Sequence, residues 1–183
     1  MQPQVIWFFG LSGAGKTTLS DAVAKTLRQK GIAVKQLDGD DLRRGLNSNL
    51  GFSLEDRLEN IRRSAEVAKL FMESGFVTLC SFITPTEETR RVMQQVLHNT
   101  PLTQVYVQAS LDTCRRRDPK GFYLKVDRGE IKNFTGIDSL FEAPRHPDVT
   151  ITTDHSSVDV CVHILLDAIN PTQPCDSMPR AVQ

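Results

Sequence analysis

Nine residues near the N-terminus, "GLSGAGKTT" from Gly10 to Thr18, have the types and spacing needed to hold a polyphosphate. They satisfy G-x-x-x-x-G-K-[ST] through Gly10, Gly15, Lys16 and Thr17. Small residues at Gly10, Ser12, Gly13, Ala14 and Gly15 let the backbone run close to phosphate oxygens, and the N–H groups from Ser12 to Thr18 offer partial positive charge. Lys16 can reach the outer phosphates, and the Thr17 hydroxyl can ligate Mg²⁺. The apolar run "VIWFF" ends at Phe9 and helical periodicity starts at Lys16, the strand–loop–helix context that a chance match lacks. The stretch therefore predicts a nucleoside triphosphate site, but it does not say where a phosphoryl group would go.

Two further stretches bear on that question. "LDGDDLRRGLN" follows an apolar run, and in an α/β sheet ligands bind at the carboxyl ends of strands, so Asp38 and Asp40 should emerge beside the phosphate loop. One carboxylate can hold Mg²⁺ through water while the other takes a proton from an attacking hydroxyl, which makes Lys16, Asp38 and Asp40 the candidate catalytic set. The plainer alternative is a Gly-Asp turn around Gly39. Asp41 is assigned to the dipole of the helical turn that follows. In "LGFSLEDRLENIRR", Arg57, Asn60 and Ile61 share one helical face, with Phe52 just before it. A cation, an amide and a ring at one helix start suit an anionic nucleotide, although composition alone reads as a solvated Arg/Glu helix.

These residues need a scaffold, and the chain alternates short β-rich runs with amphipathic segments, the pattern of a parallel sheet flanked by helices. Strands are predicted at "VIWFF", "AVKQL", "FVTLCSF", "TQVYVQ" and "VTITT". Helices are predicted from Lys16 to about Lys30, across "LEDRLENIRRSAEVAKLFMESG" and "TEETRRVMQQVLHN", and from Ser157 to Ile169. Gly31 and Gly75 stand where helices should end, and Ser53 caps a start. Residues 1–170 form one domain on this reading. Within it 115–147 is a polar, aperiodic stretch of functional or mobile character, and 171–183 is a Pro-rich frayed tail.

Composition narrows the partners. The 183 residues carry 22 Lys plus Arg against 22 Asp plus Glu, so no overall positive field draws the protein to nucleic acid or to a membrane surface. "VIWFF" is too short for a signal peptide core, and no segment reaches the length of a membrane span, which implies a cytoplasmic protein. Cys80, Cys114, Cys161 and Cys175 are scattered and read as free thiols rather than metal ligands.

Taken together and in order, "GLSGAGKTT", "LDGD..R.GLN..LGFS..DR.ENIRR..EVAKL", "RD.KGFY", "GEIK.FTGID" and "FEAP" resemble the adenylyl-sulfate kinase family from about Val5 to Asn170. The resemblance implies an α/β fold of the P-loop NTPase type, with helices on both faces of a parallel sheet and a mobile lid over 115–147. It also implies transfer of the ATP γ-phosphoryl group to the 3′-hydroxyl of adenosine 5′-phosphosulfate, with Mg²⁺ and ATP required and a homodimer as the assembly. Residue by residue, it places Asp40, Arg43, Phe52, Arg57, Asn60, Ile83, Thr84, Lys120, Asn133 and Phe134 at the acceptor, with Phe52 and Phe134 clasping adenine. Arg117 joins the ATP site. Three departures stand out: Thr84 replaces the usual serine of "SFISP", Asp127 the usual arginine of "KKARAGEIK", and Arg115 the glutamate of "CE.RD". Thr84 and Asp127 leave open another modified nucleotide as acceptor. A non-catalytic nucleotide-binding module is a further alternative, disfavoured because the candidate base is present.

Overall fold

In the computed structural model, which describes Met1 to Ile169, five strands form one all-parallel sheet. The strands are β1 (Val5–Phe9), β2 (Val34–Asp38), β3 (Val77–Ser81), β4 (Leu102–Gln108) and β5 (Val149–Thr152), ordered β2-β3-β1-β4-β5. The helices are α1 (Lys16–Gln29), α2 (Gly39–Arg44), α3 (Leu54–Glu73), α4 (Glu87–Val96), α5 (Leu111–Arg117), α6 (Phe122–Asp127) and α7 (Val158–Ile169). The Pro-rich tail and Cys175 lie outside the described residues.

The sequence of two of the three inner strands explains their place. β1 and β3 are buried along their whole length, as expected of parallel strands covered on both faces. Alternation then divides the side chains. Ile6, Phe8, Val77 and Leu79 join a cluster with α1 and α7, while Val5, Trp7, Phe9 and Cys80 join another with α3 and α4. β2 and β5 are less covered, consistent with their position at the edges.

All five predicted strands and the four long predicted helices occur at the expected places. Ser53 accepts a hydrogen bond from the Asp56 N–H, and both Gly31 and Gly75 have positive φ just past a helix. The polar stretch from 115 differs from expectation. It contains the end of α5 and all of α6, helices of seven and six residues, which are too short to print a periodic pattern. Further on, Asp138 accepts from the backbone N–H groups of Asn133 and Phe134, closing a turn at the start of the Phe134 segment. Cys80, Cys114 and Cys161 are free and buried. Among the described residues, no helix is long and apolar enough to cross a membrane.

Candidate active site

The carboxyl ends of β1, β2 and β3 open on one edge of the sheet, and each delivers a piece of the site. After β1 the loop runs so tightly that a Cβ at Gly10 would stand 2.3 Å from the Val107 carbonyl oxygen, and one at Gly13 would stand 2.9 Å from that of Cys114. Both also have positive φ, 152° at Gly10 and 76° at Gly13, so glycine is required at each point. Gly15 caps α1 without a side chain, and the first turn holds no acidic residue, so no side chain of that turn competes for its amide donors. Lys16 Nζ donates to the carbonyls of Gly10 and Leu11 at 3.0 and 2.8 Å. Burial, and then the neighbouring Lys120 charge, lower its pKa to about 8.

Asp38, the last residue of β2, does two jobs. Its Oδ1 accepts from the Asp40 N–H at 2.9 Å and so caps α2, while its Oδ2 accepts from the Thr17 hydroxyl at 2.8 Å. That second bond joins the two residues predicted to hold a metal. Asp40, in the first turn of α2, is free of such backbone duty and pairs instead with the Lys120 ammonium. Asp41 also lies in that turn and pairs with Arg44. The two carboxylates are thus separated in role by the cap geometry.

The rest of the predicted acceptor set lines the same cavity, of about 750 Å³, within the size range of small-molecule sites. Arg43, Phe52, Arg57, Asn60, Ile83, Thr84, Lys120, Asn133 and Phe134 all contribute to its wall, together with Ser12, Gly13, Gly15, Lys16, Thr17, Thr18, Asp38, Asp40 and Arg117. Gly10 and Ala14 lie behind the loop, buried. The Arg43 guanidinium stacks 4.4 Å above the Phe52 ring, with Arg57 at 5.6 Å. Desolvation, reinforced by Arg57, lowers the pKa of Arg43, and desolvation also lowers that of Arg57. Two partly buried cations beside one ring favour an acidic ligand there.

Several side chains are held more firmly than the sequence indicated. Arg57 is no surface decoration: it donates to the Phe52 carbonyl, the Thr135 hydroxyl and the Asn133 carbonyl, tying α3 to the Phe134 segment. The Asn60 Oδ1 accepts from Asn47 Nδ2 at 3.0 Å. Thr84 has a φ of 42°, its hydroxyl accepts from the Trp7 indole at 2.9 Å, and its carbonyl accepts from Arg90 at 3.2 Å, which fixes it to the core. Arg117 reaches the carbonyls of Gly13 and Ala14 at 3.4 and 3.5 Å and the Thr153 hydroxyl at 3.0 Å. Phe134 meets Tyr123 edge-to-face at 5.0 Å, and the Tyr123 hydroxyl donates to the Ser12 carbonyl at 2.9 Å.

Sequence reasoning missed Ser81, Phe122, Lys132 and Thr153, all on the cavity wall. Only their neighbourhood to "SFITP" and "KGFY" could have flagged the first two. The Asp127 and Arg115 departures, expected near ATP or the acceptor's acid group, are not on that wall. They pair with each other at 2.6 Å on the exposed side of the α5–α6 hairpin, so opposite changes at two positions meet as one salt bridge.

The family model described as adenylylsulphate kinase matches residues 2–152. An adenylyl-sulfate kinase of Staphylococcus carnosus is 49% identical over 88% of this chain and 81% of its own. One of Phocaeicola vulgatus is 45% identical over 91% of this chain and 82% of its own. The solved Mycobacterium tuberculosis APS kinase CysC, in complex with AMPPNP and APS, matches with a TM-score of 0.89 at 40% identity, covering 92% of this chain and 98% of that one.

Proposed function

Because the chain belongs to the adenylylsulphate kinase family, we propose that it transfers the γ-phosphoryl group of ATP to the 3′-hydroxyl of adenylyl sulfate, giving 3′-phosphoadenylyl sulfate and ADP. One observation carries the reading: the phosphate loop and the Arg43–Phe52–Arg57 corner open into a single cavity, with Asp40 lining it as well. Phosphoryl transfer is mostly positioning and electrostatics, which such a joint site supplies.

In this reading Lys16 leaves the loop carbonyls for the transferring phosphate, and the first turn of α1 holds the other phosphates. Phe52 and Phe134 take the acceptor's adenine, and Arg43 and Arg57 take its acid group. Asp40 receives the 3′-hydroxyl proton, and the Lys120 ammonium pairs with its carboxylate. The α5–α6 hairpin excludes water from the reacting groups, with Arg117 and Tyr123 pinning it to the phosphate loop.

Mg²⁺ fits the residues present. Among the described residues no cluster of three or more His, Cys, Asp or Glu could hold a metal. Mg²⁺ commonly needs only one or two protein oxygens plus substrate phosphates, and Thr17 with Asp38, the latter through water, supply them. Bound there with ATP, it would neutralise charge on the β- and γ-phosphates. A cytoplasmic homodimer completes the proposal, supported by the family resemblance, and sedimentation of the purified chain tests the assembly.

ADP release measured with adenylyl sulfate, AMP and no acceptor checks the function. Turnover is expected with adenylyl sulfate alone. Turnover favouring another nucleotide would move the acceptor, and binding without turnover would leave only a nucleotide-binding module.

The rings make a separate prediction. Phe52 is 58% exposed and stacks under the two arginines, whereas Phe134 braces Tyr123 and through it the phosphate loop. Stacking of one base is worth on the order of 1–3 kcal/mol, so Phe52→Ala should weaken adenylyl sulfate about ten-fold and leave ATP unchanged. Phe134→Ala should weaken both. Calorimetry with each ligand decides it, and an unchanged acceptor affinity in Phe52→Ala would remove that ring from the site.

A further inference from the structure

Three buried side-chain polar atoms among the described residues have no hydrogen-bond partner: Asn47 Oδ1, Thr78 Oγ1 and Ser81 Oγ. Of these residues only Ser81 lines the active-site cavity. It is 5% exposed, so water does not reach its hydroxyl freely, and leaving such a group unpaired is costly. An orphaned hydroxyl in a cavity wall marks a place where a ligand completes the bonding.

The sheet says which ligand. Ser81 ends β3 and pairs in register with Asp38 of β2 on one side and Phe8 of β1 on the other. By strand alternation it shares the face of Val77 and Leu79, which is the face α1 packs against. Asp38, its register partner, stands on the same face and binds Thr17 in the first turn of α1. P-loop enzymes often hold Mg²⁺ with the loop hydroxyl and an aspartate. Here the aspartate is on the outermost strand, and the strand between it and β1 ends in a neutral serine.

We propose that Ser81 is a positioning residue of the Mg²⁺–nucleotide site, its hydroxyl hydrogen-bonding a water on the metal that Thr17 and Asp38 hold. The inference rests on the Mg²⁺–ATP reading above. A hydroxyl both donates and accepts, so it orients a metal-bound water without adding charge to a site that already contains Asp38 and Asp40. Its lack of a protein partner follows directly, because the partner arrives with the nucleotide.

Calorimetry of ADP, once with EDTA and once with excess Mg²⁺, tests this on the wild type and on Ser81→Ala. Wild type should bind ADP more tightly with Mg²⁺. Ser81→Ala should match wild type with EDTA and lose about five-fold with Mg²⁺, the worth of one hydrogen bond. Its ligand-free melting temperature should not fall, because an unpaired hydroxyl contributes nothing to the core. A full Mg²⁺ gain in Ser81→Ala overturns the proposal and leaves the Mg²⁺ reading standing. No Mg²⁺ gain in the wild type overturns both. A lower ligand-free melting temperature with the Mg²⁺ gain intact assigns the hydroxyl to the core and also overturns it.

Discussion

Lys16→Ala is expected to lower the rate of ADP formation by about 10³-fold or more while the chain keeps its fold. On the proposed reading the ammonium is a preorganised charge where negative charge is redistributed, and its two neighbouring cations are engaged elsewhere, Arg117 with the loop carbonyls and Thr153 and Lys120 with Asp40. The fold should tolerate the change. Lys16 is held at about pKa 8 by burial and by Lys120, so its folded pKa lies below the ordinary 10.5. Between those values the unfolded chain binds more protons than the folded one, and stability should rise as pH goes from about 8 to 10.5. Lys16→Ala should flatten that rise. A bound triphosphate pulls the pKa back up, so ATP binding near pH 8 should take up a proton in the wild type and none in the mutant. Calorimetry in buffers of different ionisation heat reads that proton. A mutant with a near wild-type rate would end the reading of this loop as catalytic.

How much of this was legible in the chain depends on how local each signal is. β1 was readable to the residue because a central parallel strand must be apolar on both faces, and "VIWFF" is. The phosphate loop was readable because its glycines answer to nearby backbone. Arg57 was different. Its meaning comes from Thr135 and the Asn133 carbonyl, far along the chain, and spacing within one helix carries no trace of them. Its place beside Asn60 and Phe52 suggested an anion contact, and the ordered family motifs favoured that over a solvated helix. The α5–α6 hairpin was hidden by its short helices, and with it the pairing of Arg115 with Asp127. Of the two departures that argue for a different acceptor, Asp127 lies off the cavity wall, while Thr84 is on it and is fixed to the core by Trp7 and Arg90. Ser81 was the least visible of all, since an unpaired hydroxyl is a property of its surroundings and not of "LCSFI".

Asp40→Asn is the second large effect expected, a fall in kcat of about 10²-fold or more with a smaller change in the adenylyl sulfate KM. The amide keeps the shape and one acceptor oxygen but cannot take the 3′-hydroxyl proton, so the loss belongs to the transition state. The structure supplies the competing explanation and the means to separate it. Asp40 pairs with Lys120, so the mutation also releases an ammonium into the cavity, and that charge lies close enough to lower the pKa of Lys16. If Asp40 served only to hold Lys120, then Lys120→Met alone should reproduce the whole defect, and the double mutant should be no worse. If Asp40 is the base, Lys120→Met should cost far less than Asp40→Asn. Asp38 offers the matching control. Both its oxygens are occupied, by the Thr17 hydroxyl and the Asp40 N–H, so Asp38→Asn should keep the α2 cap through its remaining oxygen but lose the acceptor facing Thr17 and weaken Mg²⁺-dependent ADP binding. Asp40→Asn should leave that binding alone. A normal kcat in Asp40→Asn, with a fall in Asp38→Asn, would transfer the proton-accepting role to Asp38 and reduce Asp40 to the partner of Lys120.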